Sequence, residues 1–327
     1  MRILLTLFFC LWFPSLAALC TGSSFMDRIT EAERAQIAEA VAATPYATGL
    51  HWTATKDDKT LHLIGTMHIA DPRLQSVFDR TAASVDASEL LLVEATAESE
   101  AEMQAAFAAN PDMIFITEGP TLPELLDEET WQTLSEAVSA RMVPPFLAAK
   151  MRPWYLSLTL AIPPCVIPEL TAGERGLDHM LMTYADEIGV PVEAIEDPIE
   201  VMQALSGGTF EEQLDALRLS LLTPELQTEM FVAMLNSYFS EEIAEVWEAS
   251  RLAVNYVPEL SPETAEALFE EVEVALLKER NLNWIPVVEA AFEDNTTVTL
   301  AVGAAHLPGE FGVLTLLEDK GWAISRN

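Results

Sequence analysis

Apolar residues recur along this chain with two periods, and the switches between them mark its elements. Ile29, Ile37, Ala38 and Val41 form a helical face within residues 27–43. His51 to Thr55 alternates weakly, Lys56-Asp57-Asp58-Lys59 is a polar turn, and Thr60 to Ile64 is apolar and strand-like, so the three read as a hairpin. Asp71-Pro72 then opens a helix with Leu74, Val77, Phe78 and Ala82 on one side. Glu89 to Val93 and Val190 to Ile195 are further short strands, and Thr297 to Val302, rich in threonine and valine, is the clearest. Residues 98–160 and 210–280 are mainly helical. Helix starts are signalled by the pairs Thr121/Glu124 and Thr171/Glu174 and by Thr223-Pro224 and Ser261-Pro262. The Thr171 pair leads into Leu177, Met180, Leu181 and Tyr184, on a helix ending near Gly189. Gly309 to Leu317 reads as a helix, Gly321 breaks it, and Trp322 to Ser325 reads as an edge strand.

Strands alternating with helices after a hairpin imply α/β or α+β: a mixed, partly parallel sheet with flanking helices and a large helical insertion. The expected organisation is a single domain over 20–327, with 98–160 and 210–280 covering the sheet. No solenoid repeat interrupts it.

The N-terminus changes the compartment. Met1-Arg2 is a short basic end, Ile3 to Leu19 is almost wholly apolar, Pro14 interrupts it, and Ser15, Ala17 and Ala18 are small. That order is a secretory signal cleaved after Ala17, with 1–17, or as far as 19, removed. A periplasmic or secreted protein follows, without stable membrane insertion after cleavage. Lipid anchoring through Cys20 is a minor alternative. Cys10 leaves with the signal, and the remaining Cys20 and Cys165 are free to pair in an oxidising compartment. With 17 basic and 52 acidic residues, net −35, the chain is a poor match for nucleic acid or anionic lipid, which need clustered cations.

Four groups with catalytic chemistry share one setting. His68, Glu94, Glu196 and His306 each follow a predicted strand by a few residues. In sheets with helical crossovers that edge gathers sites from distant parts of the chain. Two imidazoles with one or two carboxylates suit a divalent transition ion: manganese, cobalt, zinc or iron. Both histidines close a Gly-x-x-His turn, at Gly65 and Gly303, where a residue without a side chain allows close approach. His51 and His62 in the hairpin read as packing groups, and His179 as a partly buried helix residue. There is no His-Glu-x-x-His, phosphate loop, dinucleotide fingerprint or serine elbow.

Taken together, Leu63-Ile64-Gly65-Thr66-Met67-His68, Leu92-Val93-Glu94, Gly176-Leu177-Asp178, Glu196, Glu279-Arg280-Asn281 with Trp284, and Val302-Gly303-Ala304-Ala305-His306-Leu307-Pro308-Gly309 resemble the TraB/PrgY/GumN family, in its exported GumN-like branch. The resemblance spans about residues 45–327. It implies kinship with the Tiki metalloproteases, which cut a segment from a secreted signalling protein, and more distantly with erythromycin esterases and haem-binding ChaN proteins. In the Tiki-like reading His68, His306 and Glu94 hold the metal, and Arg280, at an arginine position of the family pattern, binds a carboxylate or steadies a tetrahedral intermediate. Ala305 departs from the glycine that commonly precedes the second histidine. The expected activity is metal-dependent hydrolysis of peptide or amide bonds. Glu94 or Glu196 serves as third ligand, and the other carboxylate as base. The substrate is a peptide or a small molecule. The alternatives are a metal-independent small-molecule ester hydrolase and a non-enzymatic binder of haem, metal or peptide.

Overall fold

The computed structural model describes residues 20–256 and 261–327, so the expected export signal lies outside the described residues. Six strands form one sheet: β1 (His51–Lys56), β2 (Lys59–Thr66), β3 (Leu90–Val93), β4 (Val192–Ala194), β5 (Thr297–Gly303) and β6 (Ala323–Arg326). Their spatial order is β4-β3-β5-β2-β1-β6. The first four in that order run parallel, and β1 is antiparallel to β2 and β6. The mixed, partly parallel sheet is the one the sequence pattern implies. Lys56 pairs with Lys59 around a two-residue turn in which Asp57 takes φ 55°. Aspartate tolerates that left-handed conformation better than most residues.

β3 is apolar without a break, and β5 is interrupted within its apolar run only by the buried Thr299, because both faces of the sheet are covered. In β3, Leu91 and Val93 enter one core while Leu90 and Leu92 enter the other. In β5, Ala301 joins the first core, and Val298, Leu300 and Val302 the second. The helices that position the site are α1 (Leu74–Asp86), α2 (Ala97–Ala109), α3 (Leu177–Ile188), α4 (Pro198–Leu205), α5 (Pro224–Phe239), α6 (Glu279–Ala291) and α7 (Val313–Asp319). α1, α3 and α5 pack on the first face through Val77, Leu181 and Phe231, among others. α6 and α7 pack on the second through Trp284, Val288 and Leu314. Each fully buried leucine here contributes about 1.5–3 kcal/mol. A third cluster, including Leu122, Leu134, Leu156 and Leu217, contains no strand residue, so much of 115–160 closes on itself and on the helix Phe210–Leu219.

Cys20 and Cys165 form a disulfide across a sequence separation of 145, pinning the start of the described chain to its body. Closing a loop of that length typically stabilises a fold by about 2–4 kcal/mol. The bond also uses the sulfur that lipid anchoring through Cys20 would need. Among the described residues no single helix is long and apolar enough to cross a membrane.

Local chemistry moves several boundaries. The helix expected over 27–43 is two, Phe25–Arg28 and Glu31–Ala43. Thr30 caps the second in a box with Glu33, which halts the first. Thr121, Thr223 and Ser261 cap helices as read. Thr171 does not. It lies inside the helix Ile167–Ala172 and bonds back to the Ile167 carbonyl, and Gly173 ends that helix at φ 86°. α3 starts only after Gly176. The strand expected over Val190 to Ile195 pairs only from Val192 to Ala194. The helix expected from Gly309 starts at Val313, because Gly309 takes φ 98° and Gly309–Gly312 is a turn.

Candidate active site

The parallel order β4-β3-β5-β2 places four strand ends side by side. Glu196 follows β4, Glu94 follows β3, His306 follows β5 and His68 follows β2, so residues far apart in sequence meet at one edge. Glu94 is the hub. Its Oε1 lies 3.9 Å from His68 Nε2 and 4.0 Å from His306 Nε2, and it accepts the Gly303 N–H at 2.6 Å. Gly303 permits this crowding: a Cβ there would stand 3.2 Å from Glu94 Oε1 and 3.6 Å from His68 Nε2.

The two histidines are anchored alike and exposed differently. His306, 4% exposed, donates Nδ1–H to Asn281 Oδ1 at 2.6 Å. The Asn281 amide nitrogen donates to the His306 and Phe311 carbonyls, which fixes its oxygen toward the ring. Nε2 accepts from Arg280 Nη1 at 3.2 Å, and the ring lies 4.4 Å from that of Trp284, centroid to centroid. Burial pushes the His306 pKa down to about 3, against the pull of Glu94. His68 donates Nδ1–H to Asp178 Oδ2 at 3.1 Å, and 57% of its side chain is open. Surrounding protein opposes its charge, but the Asp178 hydrogen bond with the fields of Glu94 and Asp178 raises its pKa to about 9. Burial likewise raises Glu94, yet His306, His68, Arg280 and the Gly303 N–H together hold it down at about 2.

Arg280, on α6, knits the rest. A guanidinium has five N–H donors, and here all five are used within the protein. Nε–H and one Nη2–H reach Glu196, the other Nη2–H reaches Glu94 Oε2 at 2.5 Å, and the Nη1 pair reaches the Leu276 carbonyl and His306 Nε2. Glu196 also accepts from Trp284 Nε1 at 2.8 Å. Arg280 stands two residues beyond a π-helical segment, Val274–Lys278, whose Leu276 carbonyl takes one of those bonds. Such wide turns recur at functional sites.

All five residues named for the site from sequence therefore converge: His68, Glu94, Glu196, Arg280 and His306. Asp178, quoted only as part of a motif, grips His68. His179 and Glu100 join the site beyond the residues the sequence points to. His179 donates to Asp178 Oδ2 at 3.2 Å and stands 3.3 Å from Glu100 Oε1, and both line the cavity. Asp178 draws the His179 pKa upward, against partial burial. Gly176 carries the signal that was missed. A Cβ there would lie 2.1 Å from the Met67 carbonyl oxygen, and the Leu177 N–H bonds that same oxygen at 2.9 Å. The glycine lets the start of α3 press against the His68 loop and bring Asp178 to its ring. A cavity of about 320 Å³ opens over the edge between α2 and α4, with His68, Glu94, Asp178, Glu196 and Arg280 among its lining. His306 lies behind Glu94 and Arg280, outside the cavity lining.

Compared with known proteins, the chain matches no curated protein. The model of the TraB/PrgY/gumN family matches residues 50–326, from the start of the hairpin to the last strand and including every residue of the site. The chain therefore belongs to the TraB/PrgY/gumN family.

Proposed function

We propose that the protein is a periplasmic or secreted hydrolase of peptide or amide bonds. His68, His306 and Glu94 would hold a divalent transition ion. The observation that carries this reading is the convergence of both Nε2 atoms on one Glu94 oxygen, each ring being fixed by an acceptor at Nδ1. Carboxylate or carbonyl acceptors behind metal-binding imidazoles are the usual outer support. As placed, no three such side chains among the described residues stand at ion-binding spacing. To hold an ion, His306 Nε2 would have to give up its Arg280 N–H and the three side chains would have to stand closer together. When bound, the ion supplies an acidified water and a polarised carbonyl.

The chain's own residues supply position. Asp178 aims His68, Asn281 keeps the lone pair of His306 at Nε2, and Gly303 with Arg280 holds Glu94. Glu196 is spent on Arg280 and Trp284, which makes it a positioning residue and leaves Glu94 as third donor. In the overall reaction water oxygen bonds to the carbonyl carbon, the C–N bond breaks, and one water proton leaves on the amine.

A second reading, ester hydrolysis without an ion, draws support from the fully engaged Arg280 and from the His68–Asp178 pair. Ion-free His68 keeps its proton at neutral pH and presents Nε2–H to a leaving oxygen.

The test is hydrolysis of a peptide library by the mature protein, before and after chelation, with elemental analysis of wild type, His68→Ala and His306→Gln. Loss on chelation, restoration by one divalent ion and loss of ion in both variants is the expected result. Wild-type ion content in both variants overturns the ligand set. Turnover of small esters, assayed beside the library, that survives chelation but needs His68 establishes the second reading instead.

A further inference from the structure

Each charged group that lines the cavity has a partner inside the protein, four carboxylates sharing Arg280, His68 and His179. Glu94 and Glu196 are paired with Arg280, Asp178 with His68 and His179, and Glu100 with His179. Arg280 spends every N–H inside the protein, and the one Nη1–H that an ion at His306 would release faces that ring, which is outside the cavity lining, so its donors are not set for a substrate carboxylate. What remains is the wall, with the Gln104 amide beside it. Met103 on α2 faces the cavity from one side, and Pro198, Val201 and Met202 on α4 from the other, all above the strand ends that carry His68 and Glu94. Unbranched methionines adapt to differently shaped apolar partners. About 320 Å³ is at the small end of ligand sites, enough for one side chain with its peptide unit.

We infer that the site selects an uncharged substrate whose scissile carbonyl is flanked by an apolar side chain, seated between Met103 and Met202. This assignment rests on the hydrolase reading for the position of the carbonyl, but not for the wall itself. An anionic side chain in that place would lose its water beside four carboxylates, and a cationic one would find each of those carboxylates already paired. An aliphatic one sheds apolar area against the two methionines and Val201.

Two measurements keep the wall separate from the chemistry. The first is NMR of the protein labelled at its methionine methyl groups, titrated with N-acetyl-leucinol and with N-acetyl-serinol, neither of which has an amide at the reacting position. Leucinol should shift the Met103 and Met202 methyl signals and bind about tenfold tighter than serinol. Met202→Asp should remove that difference, and Met202→Leu should keep it. Equal binding of the two probes, or leucinol binding that leaves both methyl signals in place, overturns the proposal whether or not the protein hydrolyses anything. The second is kcat/KM for peptides that differ only at the residue beside the bond. Leucine should exceed aspartate and lysine by at least about tenfold, and Met202→Asp should collapse that ratio. Turnover indifferent to that residue sinks the proposal while leaving the hydrolase standing. Leucinol binding with no hydrolysis under any ion sinks the hydrolase while leaving the wall.

Discussion

The chain writes Gly-x-x-His three times, at His68, His179 and His306, and the fold makes opposite things of the two copies that follow strands. His68 ends a loop on the open side of the cavity, leans on a carboxylate and carries a proton with a pKa near 9. His306 sits under the floor, leans on a neutral amide and an arginine, and is kept neutral with a pKa near 3. In these two, identical local spelling comes with the same placement after a strand. The partner at Nδ1 and the access of water fix the charge.

The largest expected effect comes from removing what holds the buried copy. Arg280→Met leaves Glu94 and Glu196 partly buried without their cation, and should cost about 3–5 kcal/mol in urea unfolding. It should also free His306 Nε2, so that the His306 imidazole titrates closer to the ordinary range in an NMR pH series. Unchanged stability would mean that the arginine does not hold the floor together.

Next is the contrast between the two rings themselves. His306→Ala strands the Arg280 and Asn281 groups and opens space beside Trp284, costing about 2–4 kcal/mol. His68→Ala, at an open position, should cost less than about 1 kcal/mol. Equal losses in denaturant midpoint would break the comparison.

Asp178→Asn tests the anchor of the open copy. In the ion-free protein the His68 pKa should fall from about 9 toward the ordinary imidazole value, followed by its ring signals, while His306 stays put. A His68 pKa that does not move would show that Glu94 alone sets it.

The smallest effect is on pH slope, and its sign differs between the copies. His68 has a raised folded pKa. Its stabilising share is therefore present below the unfolded value near 6.5 and is lost as pH rises through about 9. His306 has a lowered folded pKa. Its neutral form favours the fold above about 6.5, and that share is lost as pH falls toward 3. Unfolding of ion-free His68→Gln and His306→Gln across pH should flatten opposite limbs of the wild-type profile. Flattening of the same limb by both would contradict the assignment of charge.

The two helical regions differ in a related way. Arg141 makes four hydrogen bonds against the five of Arg280, but to the carbonyls of Ala137, Leu160 and Ile162 and to Gln227. With no carboxylate to answer it, burial pushes its pKa down, whereas the two glutamates overcome burial and raise that of Arg280. Apolar periodicity makes either helix legible. It does not say which arginine meets carbonyls and which meets carboxylates.

The sequence by itself determined the strands, the parallel run of apolar segments and the setting of His68, Glu94, Glu196 and His306 after them. These follow from local periodicity, turn residues and the need to cover both sheet faces. Side-chain caps such as Thr30 and the close approach at Gly176 moved the boundaries it suggested. Only the tertiary structure decided that Asp178 and not a nearer carboxylate grips His68, that Arg280 spends every donor inside the protein, and that His179 and Glu100 join the rim. Those outcomes depend on distances between elements far apart in sequence, 110 residues for His68 and Asp178 and 186 for Arg280 and Glu94, and no local pattern of apolar and polar positions carries a distance.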